Sequence, residues 1–278
     1  MRAWKTVQLA RHPARPCAGE LVELVADYFF ELRGDGRGRD DPAVLAGLAS
    51  IAGHRLALVA VDKGSGNVER RKRRQGMPLP EGLHKAGRVF SLAAKLRLPL
   101  LCLVDTPGAF PGPEAEEGGQ ARAISGNLSR LLSLPVPILV IFTGEGGSGG
   151  ALALGIGDTV LMMENAYFSV ITPEGYAAII WKDAGRAGEA AESLGLAAAD
   201  LVRLGLVDGV IEEPGGGAHA DPRAAALNLR RAVDENLSLL EAIPVPRLLE
   251  RRKERYRRIG GFLEAEEVED GSLLAAGG

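Results

Sequence analysis

Apolar positions recur along this chain at two spacings, and the alternation between them predicts its elements. Glu20 to Leu32 (ELVELVADYFFEL) is apolar at helical spacing and stops at Gly34, and after the loop GDGRGRDDP the stretch Ala43 to Ile51 reads as a second short helix or turn. The opening fifty residues are therefore expected to be mainly helical. Arg55 to Val61, Leu98 to Val104 and the run from Pro137 read as strands, with Leu83 to Leu96 and Gly119 to Leu134 helical between them. Beyond, Thr159 to Met163, Tyr167 to Ile171 and Val207 to Ile211 are short strands. Glu174 to Lys182, Glu189 to Leu194, Ala197 to Leu204, Pro222 to Glu241 and Pro246 to Ile259 are helical.

Strand, helix, strand, helix, strand implies an α/β fold with right-handed crossovers and a mostly parallel sheet. Functional loops then follow the strand C-terminal ends, and three are rich: Asp62 to Pro80, Asp105 to Gly118 and Gly144 to Gly150.

The last of these sits between two apolar runs and holds five glycines in seven residues. A flexible linker would not lie between segments apolar enough to be buried. Gly144, Gly146 and Gly149 satisfy GxGxxG, with Glu164 placed to hold a ribose hydroxyl, although the helix runs only from about Ser148 to Gly157. Gly146, Ser148 and Gly150 satisfy GxSxG, and Asp183 or Asp208 with His219 would complete a hydrolase triad. The third reading uses no side chain: consecutive peptide N–H groups at a helix start, aided by its dipole, form an oxyanion hole, with glycine present because a Cβ would block approach.

The other loops narrow the chemistry. Asp105 to Gly108 satisfies a DxxG element, but no phosphate-binding GxxxxGK[ST] occurs in the chain. Glu114, Glu116 and Glu117 suit the first turn of a helix and are assigned no catalysis. Arg70, Arg71, Lys72, Arg73 and Arg74 are candidate phosphate contacts, or a solvated helix face.

At 278 residues, 46% hydrophobic, the chain can bury one main α/β core. A net charge of −3 gives no global field for nucleic acid. Cys17 and Cys102 read as free thiols rather than metal ligands. No apolar stretch reaches the ~18 residues that span a bilayer, and the start lacks a signal-peptide h-region, so no membrane contact and a cytoplasmic location are expected.

Five motifs in one order then resemble a known family: QLARHPARP (Gln8 to Pro16), GMPLPEG (Gly76 to Gly82), DTPGAFPG (Asp105 to Gly112), GEGGSGGALALGIGD (Gly144 to Asp158) and SVITPEGYAAIIWKDA (Ser169 to Ala184). The chain resembles the alpha subunit of bacterial acetyl-CoA carboxylase carboxyltransferase, of the crotonase superfamily, from about Ala3 to Tyr256. The resemblance implies a ClpP/crotonase-like spiral of ββα units with mainly helical N- and C-terminal additions. The chain then divides into an N-terminal helical segment (1–50), a carboxyltransferase core (51–245) and a basic C-terminal helix (246–263), and the tail (264–278), acidic and then small and apolar, reads as disordered.

The implied reaction moves carboxylate from carboxybiotin, on its carrier protein, to acetyl-CoA, giving malonyl-CoA for fatty acid biosynthesis. Gly149 and Gly150 would supply the oxyanion-hole N–H groups. Gly146, Gly147, Thr106, Pro107, Gly108, Lys63 and Gly64 would lie on the substrate side. No cofactor or metal would be bound directly, zinc being expected only in a beta partner subunit. The implied partners are that beta subunit in an alpha2-beta2 heterotetramer, the biotin carboxyl carrier protein and biotin carboxylase; the apolar run Tyr167 to Trp181 is a candidate contact, with core packing the more expected use of those residues. From the resemblance, relatives are expected generally to carry His-Gln where this chain has Val61-Asp62, Arg where it has Gly118, and an N-terminal helical extension before the matching region. A serine hydrolase using Ser148 and a non-catalytic scaffold are the alternative readings.

Overall fold

The computed structural model describes residues 2–260, so the tail at 264–278, and the end of the segment 246–263, lie outside the described residues. Helices α1 (Arg2–Ala10) and α2 (Ala18–Val25) come first, followed by strands β1 (Tyr28–Glu31), β2 (Val44–Ile51) and β3 (His54–Val61). Next are α3 (Gly66–Lys72), α4 (Pro80–Leu96), β4 (Leu100–Thr106), α5 (Pro113–Glu117), α6 (Gln120–Ser133), β5 (Ile138–Gly147) and the one-turn α7 (Ser148–Leu152). The chain continues through β6 (Thr159–Met163), β7 (Tyr167–Ser169), α8 (Pro173–Trp181), α9 (Ala187–Leu194), α10 (Ala198–Arg203), β8 (Gly209–Ile211), α11 (Pro222–Glu241) and α12 (Val245–Arg257).

The strands form one sheet in the order β1-β2-β3-β4-β5-β6-β8, with β7 extending β5. The ladder from β3 through β4, β5 and β6 to β8 is parallel, while β1, β2 and β3 pair antiparallel. Every residue of β4 and β5 is buried, as expected of central parallel strands covered on both faces. From α4, Leu83, Ala86, Val89, Phe90 and Ala93 enter the same core at helical spacing.

The helical expectation for the first fifty residues holds only as far as Val25. Val44–Ile51, expected as a helix or turn, is a strand paired along its whole length with β3. Its burial on both sides removes the alternation that marks a strand, and VLAGLASI then mimics helical spacing. The Glu20 to Leu32 helix breaks because Tyr28–Glu31 pairs with Ser50 to Gly47 of β2.

The basic C-terminal helix is fixed by an arginine. Arg252 of α12 is fully buried, donating to the carbonyls of Leu131, Leu134 and Val136 and pairing with Asp158. Tyr256, one turn on, donates to the Gly157 carbonyl and accepts its N–H.

Candidate active site

β5 carries the glycine loop to the C-terminal end of the sheet, where it meets the loop after β4. Between Val104 and Thr106 the ladder shifts, so that Val104 faces Phe142 but Thr106 faces Gly146. Two residues of β4 thus span four of β5. Glycine is required there by protein atoms. A Cβ on Gly144 would enter the Asp105 carboxylate, on Gly147 the Pro107 carbonyl, and on Gly150 would lie 2.5 Å from the Ala109 nitrogen. This corrects the expectation that glycine serves ligand approach: at these three positions it lets two loops press together. At Gly149 a Cβ would meet only the Ile124 side chain at 3.1 Å.

α7 ends at Leu152 rather than near Gly157, so it is a single turn with little macrodipole. Its N-terminal N–H groups have no carbonyl one turn behind them, so any donor role belongs to them individually. Ser148 opens the turn with φ of 47°, in the left-handed region.

Each expected site residue has a definite place. Thr106 is fully buried, and its hydroxyl donates to the Gly108 carbonyl while accepting the Gly108 N–H, so it shapes the loop and its hydroxyl is engaged there. Gly64, at φ of +76°, packs against Glu69 and Arg73 and donates its N–H to Asp62. Lys63 reaches under the glycine loop, 2.7 Å from both Asp105 and Glu145. Gly146 and Gly147 close β5 and are buried.

The basic run does not act as a unit. Arg73 pairs with Asp62 and Glu69, and Arg74 with Asp41, which removes both from the candidate phosphate contacts. Arg71 and Lys72 are exposed. Arg70 donates to the carbonyls of Gly64 and Pro13 and lines a cavity of about 440 Å³ with Arg11, His12, Arg15, Gln75, Met77 and Pro107.

Lys63, Asp105 and Glu145 also line this cavity. The Glu145 carboxylate accepts from Lys63, Arg11 and Tyr167. Burial opposes its ionisation, but Lys63 and Arg11 outweigh burial and bring its pKa down to about 2. Burial likewise acts to discharge Lys63, and Asp105 and Glu145 outweigh it, raising the ammonium pKa. Arg11 also pairs with Glu174 at 2.6 Å, tying the segment after α1 to α8. Deeper, Arg15 forks onto Glu213 at 2.5 and 3.0 Å.

The motifs did not reveal this network. The signal available was a charge in a run that must be buried: Glu145 inside the glycine strand and Lys63 directly after β3, each requiring a partner.

The competing readings lose their geometry. Asp208 pairs with Arg255 and Asp183 accepts from the Gly185 N–H, while the His219 ring stacks on His12 at 3.8 Å with its Nδ1 buried and unpartnered. No carboxylate of the proposed triad orients His219. Glu164 accepts the Glu213 N–H, and a one-turn α7 is too short for a dinucleotide crossover. Among the described residues, no group of three or more His, Cys, Asp or Glu side chains is placed to hold a metal, and no helix is long and apolar enough to cross a membrane.

Val61, Asp62 and Gly118, where the resemblance implies other residues, also have places. Val61 is fully buried in the core at the end of β3, and Asp62 pairs with Arg73 and accepts the N–H groups of Gly19 and Gly64. Gly118 caps α5.

The same fold occurs in a Pseudomonas malonate decarboxylase hetero-tetramer solved with coenzyme A (TM-score 0.66, 18% identity, 85% of this chain and 95% of that one). It occurs again in transcarboxylase 12S solved with methylmalonyl-coenzyme A (TM-score 0.64, 18% identity), where 90% of this chain spans 43% of the other. The chain therefore has the fold of these structures, the crotonase-like α/β fold expected from the sequence. Residues 1–260 match the family model for acetyl co-enzyme A carboxylase carboxyltransferase-like proteins. Acetyl-coenzyme A carboxylase carboxyl transferase subunits alpha from Xanthomonas axonopodis pv. citri and Exiguobacterium sibiricum are 48% and 46% identical, over 94% of this chain and 82% and 84% of theirs. The chain belongs to this alpha-subunit family and is a carboxyltransferase component.

Proposed function

We propose that this chain is the alpha half of an acetyl-CoA carboxylase carboxyltransferase, transferring carboxylate from carboxybiotin on its carrier protein to acetyl-CoA. The observation that carries the reading is the pairing of its family membership with an intact loop 144–150, packed on the loop 105–112. As biotin loses carbon dioxide, negative charge develops on the ureido oxygen, and the Gly149 and Gly150 N–H groups would stabilise it. One such donor is worth about 3 kcal/mol, roughly a hundredfold in rate. The biotin nitrogen can then take the acetyl-CoA methyl proton. That fits a site in which Asp105 and Glu145 are both committed to Lys63.

A beta subunit would complete the site, in an alpha2-beta2 assembly served by the biotin carboxyl carrier protein and biotin carboxylase, with zinc in the beta subunit. Supporting a partner is the exposure of large apolar side chains in the run from Tyr167 to Trp181: Val170, Ile179 and Ile180 are 77%, 60% and 56% exposed. Core packing, the alternative use for this run, does not apply to these three residues.

The test is reverse transfer from malonyl-CoA to a free biotin derivative, with this chain, a beta subunit, and the mixture. Activity in the mixture alone is expected. Gly149→Pro, which deletes one donor, should lower it about a hundredfold, while Gly149→Ala, which keeps the N–H and meets only Ile124, should stay close to wild type. Equal activity of the two variants would overturn the donor assignment.

A further inference from the structure

Asp105 has no role in the chemistry above, yet it occupies the point where the two loops join. It is the residue of β4 lying within the register shift, between Val104 opposite Phe142 and Thr106 opposite Gly146. Its side chain is nearly fully buried. Oδ1 accepts the Glu145 N–H at 2.8 Å, and Lys63 Nζ holds that same oxygen at 2.7 Å. A Cβ on Gly144 would enter this carboxylate, so the side chain lies flat against the β5 backbone. Where regular pairing would put a β4 carbonyl, the bulge has an aspartate oxygen.

We propose that Asp105 is a positioning residue for carboxyl transfer: its carboxylate, anchored by Lys63, closes the bulge of β5 and so fixes where Gly147 to Gly150 turn into α7. The proposal rests on the donor reading of Gly149 and Gly150. Glu145 to Gly147 is buried, and Gly147 and Gly150 press on the loop after β4, with the exposed Ser148 and half-buried Gly149 between them. A shift at the bulge therefore passes to the donors, and a displacement of about 1 Å at a reacting centre costs roughly a hundredfold. Glu145 anchors the same strand again, through Lys63, Arg11 of the segment after α1 and Tyr167 of β7.

The experiment compares Asp105→Ala and Asp105→Asn in the assembled alpha-beta complex. It reads kcat and KM for reverse transfer, together with amide hydrogen exchange of the segment 143–150. Asparagine keeps an oxygen able to accept the Glu145 N–H, whereas alanine removes it. Asp105→Ala is expected to lower kcat about a hundredfold with KM for malonyl-CoA within about twofold, and to speed exchange at 143–150. Asp105→Asn should recover most of both. Equal loss in the two variants, unchanged kcat in Asp105→Ala, or a fall matched by loss of folded protein would overturn the positioning role. Gly149→Pro, run alongside, reads the donor assignment separately. If it is fully active the donor reading fails, and Asp105 is then judged on exchange, where unchanged protection in Asp105→Ala sinks it.

Discussion

Arg252 and Asp158 form a buried ion pair, 2.6 Å apart, that fastens the C-terminal helix to the start of the central strand. Asp158 also accepts the Ile138 N–H, so one carboxylate holds both the arginine and the first residue of β5. Removing one partner of such a pair leaves the other charged and unsatisfied. Arg252→Met should therefore cost about 3–5 kcal/mol in urea unfolding. Adding Asp158→Asn should recover part of it, because no unpaired charge then remains. A loss below about 1 kcal/mol would mean that α12 holds without its arginine.

Glu145 contributes to the acid limb of stability, beside other carboxylates lowered in the fold, among them Glu213 and Asp40. Its ordinary pKa of 4.5 falls to about 2 in the fold, so between these values the unfolded chain binds the extra proton. The contribution is fully present above about pH 4.5 and is lost as pH falls through 2, roughly 3 kcal/mol in all. In Glu145→Gln the unfolding free energy should vary less steeply with pH across that window. Parallel curves for the two proteins would refute the assignment.

Ser148 distinguishes transfer from hydrolysis. Its φ of 47° is a strained conformation for a side-chain-bearing residue, and the proposed mechanism does not use its hydroxyl. Ser148→Ala should leave reverse transfer within about twofold. Ser148→Gly should raise stability by up to ~1 kcal/mol through relief of that strain. A collapse of transfer in Ser148→Ala would bring the serine back into the chemistry.

Ile179 and Ile180 should matter to the complex and little to the subunit. Both are exposed on α8, whose Glu174 is paired with Arg11 beside the site. Ile179→Ser with Ile180→Ser should shift the isolated chain by about 0.5 kcal/mol per residue or less. The same pair should weaken beta-subunit binding in calorimetry at least about tenfold. Unchanged affinity would move the interface elsewhere.

What the amino-acid sequence determined by itself was local. Continuous apolar runs marked β3, β4 and β5, helical spacing marked α4, α6 and α11, and the glycine run marked where β5 turns into α7. Each such signal lies within one element, where backbone geometry and burial act on neighbouring residues. It failed at β2, because a strand covered on both faces loses the alternation that identifies it.

Tertiary structure alone decided what the loop is attached to. Arg11 meets Glu174 across 163 positions and Glu145 across 134, and Lys63 meets Glu145 across 82. Which oxygen faces which nitrogen depends on the strand order and on the bulge opposite Asp105, and no local period encodes either. The basic runs show the same limit. Arg73, Arg74 and Arg252 look alike in sequence to the exposed Arg71, and only packing turned them inward onto Asp62, Asp41 and Asp158. A buried charge is stable only beside its partner, and the fold is what brings the partner there.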